Sequence, residues 1–200
     1  MPKWMGPVAA TAVLLSAPVT GVAAAELRPV PDVVRSIETV DGLRVTLTLS
    51  NATIDSVPNM AAAPLSREGF LSGRVTLTVE GDGAEVNGGQ LVVGAQLGCQ
   101  VNLDDGIDLG LDLDADLFDD LPIIGVNPDI GANLRSGGIK TVGFAAKPLK
   151  ARSATVSILD AHVQVDECGG VVTARLFAVG QTSTDTSDDS LSVYSEVVPI

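Results

Sequence analysis

Histidine, aromatic and basic residues are all scarce in this chain. Its 200 residues include one His, one Trp, one Tyr and four Phe. With no second His and no Ser or Cys nucleophile placed beside it, His162 can build neither a triad nor a histidine zinc site. It reads as a structural residue. Twelve Lys and Arg face 25 Asp and Glu. That balance excludes holding nucleic acid by phosphate neutralisation and suits cations or plain solubility. The glycine pairs at 88–89, 137–138 and 169–170 follow no phosphate-binding pattern and read as turns or bulges. No nucleophile, base or cofactor motif is present, so the chain reads as a non-enzyme that requires no cofactor and no metal.

Long apolar runs are also missing, except at the start. Lys3 gives residues 1–25 a short positive region, Val8 to Leu15 an apolar one, and Ala23-Ala24-Ala25 a small-residue cleavage site. This is the pattern of a removable secretion signal. A membrane helix would need about 20 apolar residues, and Pro7, Pro18 and Gly21 interrupt this stretch. The remaining chain, 26–200, suits a single domain with a core of its own. Without Lys3 it carries 11 basic and 25 acidic residues, a formal charge of −14. The two cysteines, Cys99 and Cys168, pair by default in an exported chain. A transmembrane strand needs only about 9–11 residues and announces itself by alternation.

Helical periodicity is absent as well, and period-2 alternation takes its place. "LRVTLTL" (43–49) puts Leu43, Val45, Leu47 and Leu49 on one face, and "RVTLTVE" (74–80) does the same with Val75, Leu77 and Val79. Alternation rich in Val, Leu and Thr is the strand signature. Further strands are expected at 90–101, 140–146, 154–167, 171–180 and 191–198. "SNATIDSVPNMAAAPLSREGF" (50–70) reads as a long connection with one helical turn near Ser66-Arg67-Glu68. "QTSTDTSDDS" (181–190) reads as a solvated turn. An ion pair is expected among Arg67, Glu68 and Arg74. The fold class is all-β.

The centre of the chain differs from the rest. It is dense in aspartate and has no Lys or Arg before Arg135. In "IDLGLDLDADL" (107–117), Ile107, Leu109, Leu111, Leu113, Ala115 and Leu117 fall on one strand face. Asp108, Asp112, Asp114 and Asp116 share the other with Gly110. As a helix the same residues would scatter over opposite sides. "FDDLP" (118–122) turns the chain, with Asp119 and Asp120 at the tip; "DDG" (104–106) is the alternative tip. The alternation then restarts in the opposite phase. Ile124, Val126, Pro128, Ile130, Ala132 and Leu134 face one way, and Gly125, Asn127, Asp129, Gly131 and Asn133 the other. Two matched 11-residue arms make a β-hairpin that is apolar on one side and acidic or neutral-polar on the other. "DLDAD" (112–116) fails as an EF-hand, because loop positions 6 and 12, counted from Asp112, are Leu117 and Ile123 where Gly and Glu are needed.

Two environments fit such a hairpin: a soluble sandwich, with the leucines on its core, or a bilayer, with the leucines on lipid. A solvated face normally mixes charge signs, because like charges side by side are unfavourable. A row of one sign is useful along a water-filled lumen, where it concentrates cations. Both arm lengths equal one membrane crossing. On this reading Ile107, Leu109, Leu111, Leu113, Leu117, Ile124, Val126 and Ile130 face lipid, and Asp108, Asp112, Asp114, Asp116, Asp119 and Asp120 line the pore. Two strands cannot close a barrel, and open edges in hydrocarbon leave backbone groups unpaired at several kcal/mol each. The lipid reading therefore requires a homo-oligomer.

The sequence resembles the MspA-type porins of mycobacteria and related actinobacteria. The likeness rests on "LSREGFLSGRVTLTVEG" (65–81), "GGQLVVGAQLG" (88–98), "GVNPDIGANL" (125–134), "DAHVQVDECGGVVTARLFAV" (160–179) and "DSLSVYSEVVPI" (189–200). It implies a β-sandwich-like rim, from 26–98 and 136–200, and a protruding stem hairpin at about 99–135. Eight copies would close sixteen strands into one barrel through the mycolic-acid outer membrane, wide enough to hold water. Its partners would be lipid, small hydrophilic solutes and cations, and its constriction a ring of aspartates at Asp119 and Asp120. One departure is plain: Phe118 is the only aromatic residue in the hairpin. The competing reading is an exported soluble β-sandwich that binds a ligand or partner at the cell surface.

Overall fold

Alternation along the chain builds two antiparallel five-stranded sheets that share one core. The computed structural model describes residues 26–101 and 138–200. The secretion signal at 1–25 and most of the expected stem, 102–137, lie outside these described residues.

In chain order the strands are β1 (Glu26–Val30), β2 (Val33–Glu38), β3 (Arg44–Val57), β4 (Arg67–Glu80) and β5 (Gly88–Cys99). After the undescribed segment come β6 (Ile139–Pro148), β7 (Ser153–Val165), β8 (Val172–Ser183), β9 (Asp188–Tyr194) and β10 (Val198–Pro199). One sheet runs β1-β3-β4-β7, with β2 also paired to β3. The other runs β10-β8-β5-β6, with β9 also paired to β8. There is no helix among the described residues, and therefore none long and apolar enough to cross a membrane. Crossing by strands is a separate matter.

The core follows from the pattern. Leu47, Leu49, Ile54, Leu71 and Leu77 of the first sheet are fully buried, as are Leu91, Ala95, Leu97 and Ala178 of the second. Fully burying such a side chain stabilises the fold by about 1.5–3 kcal/mol. The polar partners along the same strands, such as Thr46, Thr76 and Thr155, face out; Thr76 and Thr155 hydroxyls meet at 3.2 Å. Close approach of the sheets depends on Gly180. A Cβ there would lie 2.7 Å from Leu77 Cδ1 and 3.5 Å from Leu47 Cδ1. Gly180→Ala is expected to cost about 1 kcal/mol, because the leucine tips must shift in a packed interior. Chemical denaturation of the variant measures this as a lower midpoint at unchanged slope.

Several expectations are corrected. The helical turn near Ser66-Arg67-Glu68 does not form, since Arg67 and Glu68 open β4 and pair with Val165 and Gln164 of β7. Alternate positions there, Gly69 and Leu71, turn inward, and Leu71 is fully buried, so the extended ladder wins over a local turn. The long connection is correspondingly shorter, because β3 continues to Val57. The solvated turn at 181–190 contracts to the residues between β8 and β9. Glu68 takes His162 in place of an arginine: Nε2 lies 3.6 Å from Oε2. Arg67 instead donates to the carbonyl oxygens of Pro64 and Ser66, and Arg74 donates to the Ser157 hydroxyl.

Candidate functional site

The end of the molecule from which the chain leaves the second sheet carries the functional question. β5 pairs with β8 from Gly88↔Ser183 to Cys99↔Val172 and with β6 from Gln90↔Pro148 to Gly98↔Ile139. The ladder goes one step further, as the Cys99 amide donates to the Gly138 carbonyl at 3.3 Å. The chain thus departs from β5 and re-enters on β6 at adjacent points of one antiparallel ladder.

Three connections meet at this point. Cys99 is disulfide-bonded to Cys168 across 69 residues of sequence, with Cα atoms 5.9 Å apart. Both are buried, and there is no free cysteine among the described residues. The pairing expected from the sequence is therefore present. The Cys168 amide donates to the Leu65 carbonyl, drawing in the β3–β4 connection. The Gln100 amide donates to the Val171 carbonyl, and the Gly169 amide to the Val101 carbonyl. The Gln100 side-chain oxygen in turn accepts from the Val171 amide at 3.2 Å. Gly170, with φ of +139°, leaves room for that glutamine: a Cβ would meet its Oε1 at 2.8 Å. The exit of the chain is thus clamped covalently and by backbone hydrogen bonds to the β7–β8 turn.

The candidate lining residues Asp108, Asp112, Asp114, Asp116, Asp119 and Asp120 lie outside the described residues. So do the candidate lipid-facing residues Ile107, Leu109, Leu111, Leu113, Leu117, Ile124, Val126 and Ile130. Among the described residues no group of three or more His, Cys, Asp or Glu is arranged to hold a metal ion. His162 packs its ring 5.2 Å from that of Phe70 and sits beside Glu68, which also accepts from the Asn59 amide group at 2.6 Å. These contacts tie the β3–β4 connection to the sheet.

The opposite end has a network that sequence reasoning missed. Asp41, in the β2–β3 turn, accepts hydrogen bonds from the hydroxyls of Thr184 and Thr186, each at 2.6 Å, and of Ser187 at 2.9 Å. One carboxylate thereby joins a turn of the first sheet to the β8–β9 turn of the second. The Thr184 bond, then those of Thr186 and Ser187, hold the Asp41 pKa below its ordinary value. A depressed carboxylate pKa means the folded state favours the ionised form. Its stabilising contribution is present above the ordinary value and is lost as pH falls through the lowered one. Asp41→Ala is expected to speed amide exchange of Thr186 and Ser187, whose N–H groups bond to Thr184 Oγ1. The difference from the parent should disappear in acid.

With this geometry in place, comparison with known proteins is decisive. The sequence profile of the MspA family matches residues 41–198, which spans every strand from β3 to β9. Porin MspD of Mycolicibacterium smegmatis is 31% identical over 186 residues, covering 84% of this chain and 88% of that protein. The match runs through both sheets and across the segment between β5 and β6, so the chain belongs to the MspA family.

Proposed function

We propose that this protein is an outer-membrane porin, a passive, water-filled channel for small hydrophilic solutes and ions with a weak preference for cations. The two sheets form a rim, from 26–98 and 136–200, and the residues from about 99 to 135 form the stem hairpin. Copies of the chain, eight by family resemblance, each contribute two strands to one barrel. The leucine side of each stem meets lipid, and the aspartate side meets water.

The observation that carries this reading is the adjacency of the β5 and β6 ends, with Cys99 hydrogen-bonded to Gly138. A segment that leaves and returns through neighbouring antiparallel strands continues naturally as a hairpin, and its alternation matches two membrane crossings. The mechanism is electrostatic and involves no chemistry on the solute. Rows of Asp108, Asp112, Asp114 and Asp116, ending in Asp119 and Asp120, raise the local cation concentration and repel anions. Acidic first arms alternate around the barrel with nearly neutral second arms, which limits repulsion between strands. Screening over about 8 Å at physiological salt keeps the preference modest in a wide lumen.

The test is single-channel recording in a planar bilayer, accompanied by an unheated gel without reductant. Stepwise ohmic conductance and a heat-resistant oligomer are expected. A monomer that stays soluble without detergent and never conducts would instead identify an exported ligand-binding β protein.

A further inference from the structure

Successive side chains of a strand point to opposite faces, so parity relates the faces of the second sheet to the sequence beyond it. In β5 the odd positions Leu91, Val93, Ala95, Leu97 and Cys99 are buried in the core. The sequence keeps that phase, with Val101, Leu103, Ile107 and Leu109 at odd positions and Asp105 as the exception. Gln100, Asn102, Asp104 and Asp108 fall at even ones. The returning arm has the opposite parity and agrees. Its apolar Ile130 and Leu134 share even numbers with Lys140 and Val142 of β6, which are buried. Its polar Asp129 and Asn133 share odd numbers with Thr141, which is exposed. Both arms thus match apolar positions to the core side of the sheet and polar positions to its outer face.

A row of polar side chains crosses that outer face. Gln96 of β5 pairs with Arg175 of β8 on one side and with Thr141 of β6 on the other. The Gln96 amide group donates to the Thr141 hydroxyl at 3.2 Å, and its oxygen accepts from Arg175 Nε at 2.8 Å. The Tyr194 ring of β9 stacks on the guanidinium, with Cζ 4.5 Å from the ring centroid. These contacts fix the plane of the group. Its two outer nitrogens make no hydrogen bond or ion pair with any of the described residues. Such a planar fork matches two oxygens of a carboxylate or a phosphate. On β5, β8 and β9 this face carries one other charged residue, Asp188. Asp188 pairs with Ser183, eight residues further along β8, about 26 Å away.

We infer that this outer face is the wall of the water path above the stem, and that Arg175 on it accepts the carboxylate or phosphate group of an anionic solute. The inference rests on the channel reading, which supplies the path and puts the polar side of the stem in water. Arg175 is then a specificity-determining residue, with Gln96 and Tyr194 as its positioning residues. Aspartates alone would turn anions away. A guanidinium ahead of them gives an oxyanion one favourable contact before the acidic zone, so passage depends on more than the charge of the stem.

The test is reversal-potential recording of the full chain in a planar bilayer, in dilute potassium acetate and separately in potassium chloride. Arg175→Gln is expected to raise the potassium-to-acetate permeability ratio about twofold or more. Arg175→Lys keeps the charge without the fork. It should stay near the parent in chloride and move toward Arg175→Gln in acetate. Should Arg175→Gln fail to assemble, the acetate shift of Arg175→Lys decides. Thr141→Cys locates the face. Cys99 and Cys168 are bonded to each other, so a charged methanethiosulfonate reagent meets a single free thiol and should step the conductance of open channels. A parent-like acetate ratio in Arg175→Gln, or a lysine variant that matches the parent in both salts, overturns the oxyanion site. Conductance of Thr141→Cys that ignores the reagent overturns the wall. In those cases channels still form, and the channel reading stands. If the parent itself never conducts, that reading falls and the site with it.

Discussion

Replacing both Cys99 and Cys168 by alanine is expected to destabilise the folded subunit by about 4 kcal/mol, the chain-entropy value for a loop of this length. The bridge spans 69 residues, and within them lie the whole undescribed segment and the strands β6 and β7. Losing it lets the unfolded chain expand, so most of the effect is on the unfolded state. Alanine is the cleaner substitute: Cys99 is 4% exposed and Cys168 wholly buried, where serine would add two hydroxyls in need of partners. For a domain of this size the loss is equivalent to roughly 10 °C in Tm. Urea titration of the oxidised parent against the double variant reads the difference directly. A shift below about 1 kcal/mol would mean that the unfolded chain already keeps these two positions close without the sulfur link.

Asp112→Asn, Asp114→Asn and Asp116→Asn together are expected to lower the cation-to-anion permeability ratio at low salt, with Asp108, Asp119 and Asp120 keeping part of the preference. Asparagine preserves size and polarity and removes only charge. A change of about one kT in lumen potential raises cations and lowers anions by a factor of about three each, a roughly sevenfold change in that ratio. The Debye length falls from about 10 Å at 0.1 M to about 3 Å at 1 M salt. Parent and variant should therefore differ in reversal potential across a dilute salt gradient and converge at high salt. An unchanged reversal potential in dilute salt would remove these aspartates from the lumen and leave the rest of the channel reading intact.

The strands that were easiest to read from sequence are those with an unbroken apolar phase. Val45, Leu47 and Leu49 are buried as expected, and so are Val75, Leu77 and Val79. Where the phase flips, the reading stopped short. In β3 the register shifts between Ser50 and Thr53, and Asn51 has a φ of +51°. After that bulge the inward positions become Ala52 and Ile54, and a one-residue slip exchanges the two faces of a strand. Alternation counted through the bulge cancels, which is why 50–57 looked like connection. β1 and β2 were invisible for another reason: Pro29 and Pro31 interrupt them, and β2 is mostly exposed, as edge strands are. Of the functional features, the disulfide was legible because export and an even cysteine count leave few alternatives. The acidic first arm, 107–117, is conspicuous in the sequence but lies outside the described residues, and its reading belongs to the proposed function. The Asp41 network was not legible, since hydroxyls 143 to 146 residues away leave no local pattern.

The sulfur bridge at the chain's exit has one more consequence. Any peptide bond hydrolysed between Cys99 and Cys168 leaves both fragments in a single molecule, heavier by one water and separable only after reduction. A cut before Cys99 or after Cys168 releases a piece held by noncovalent contacts alone. Proteases cutting anywhere between the two cysteines would therefore leave a nicked species that passes for intact on a gel until a thiol is added.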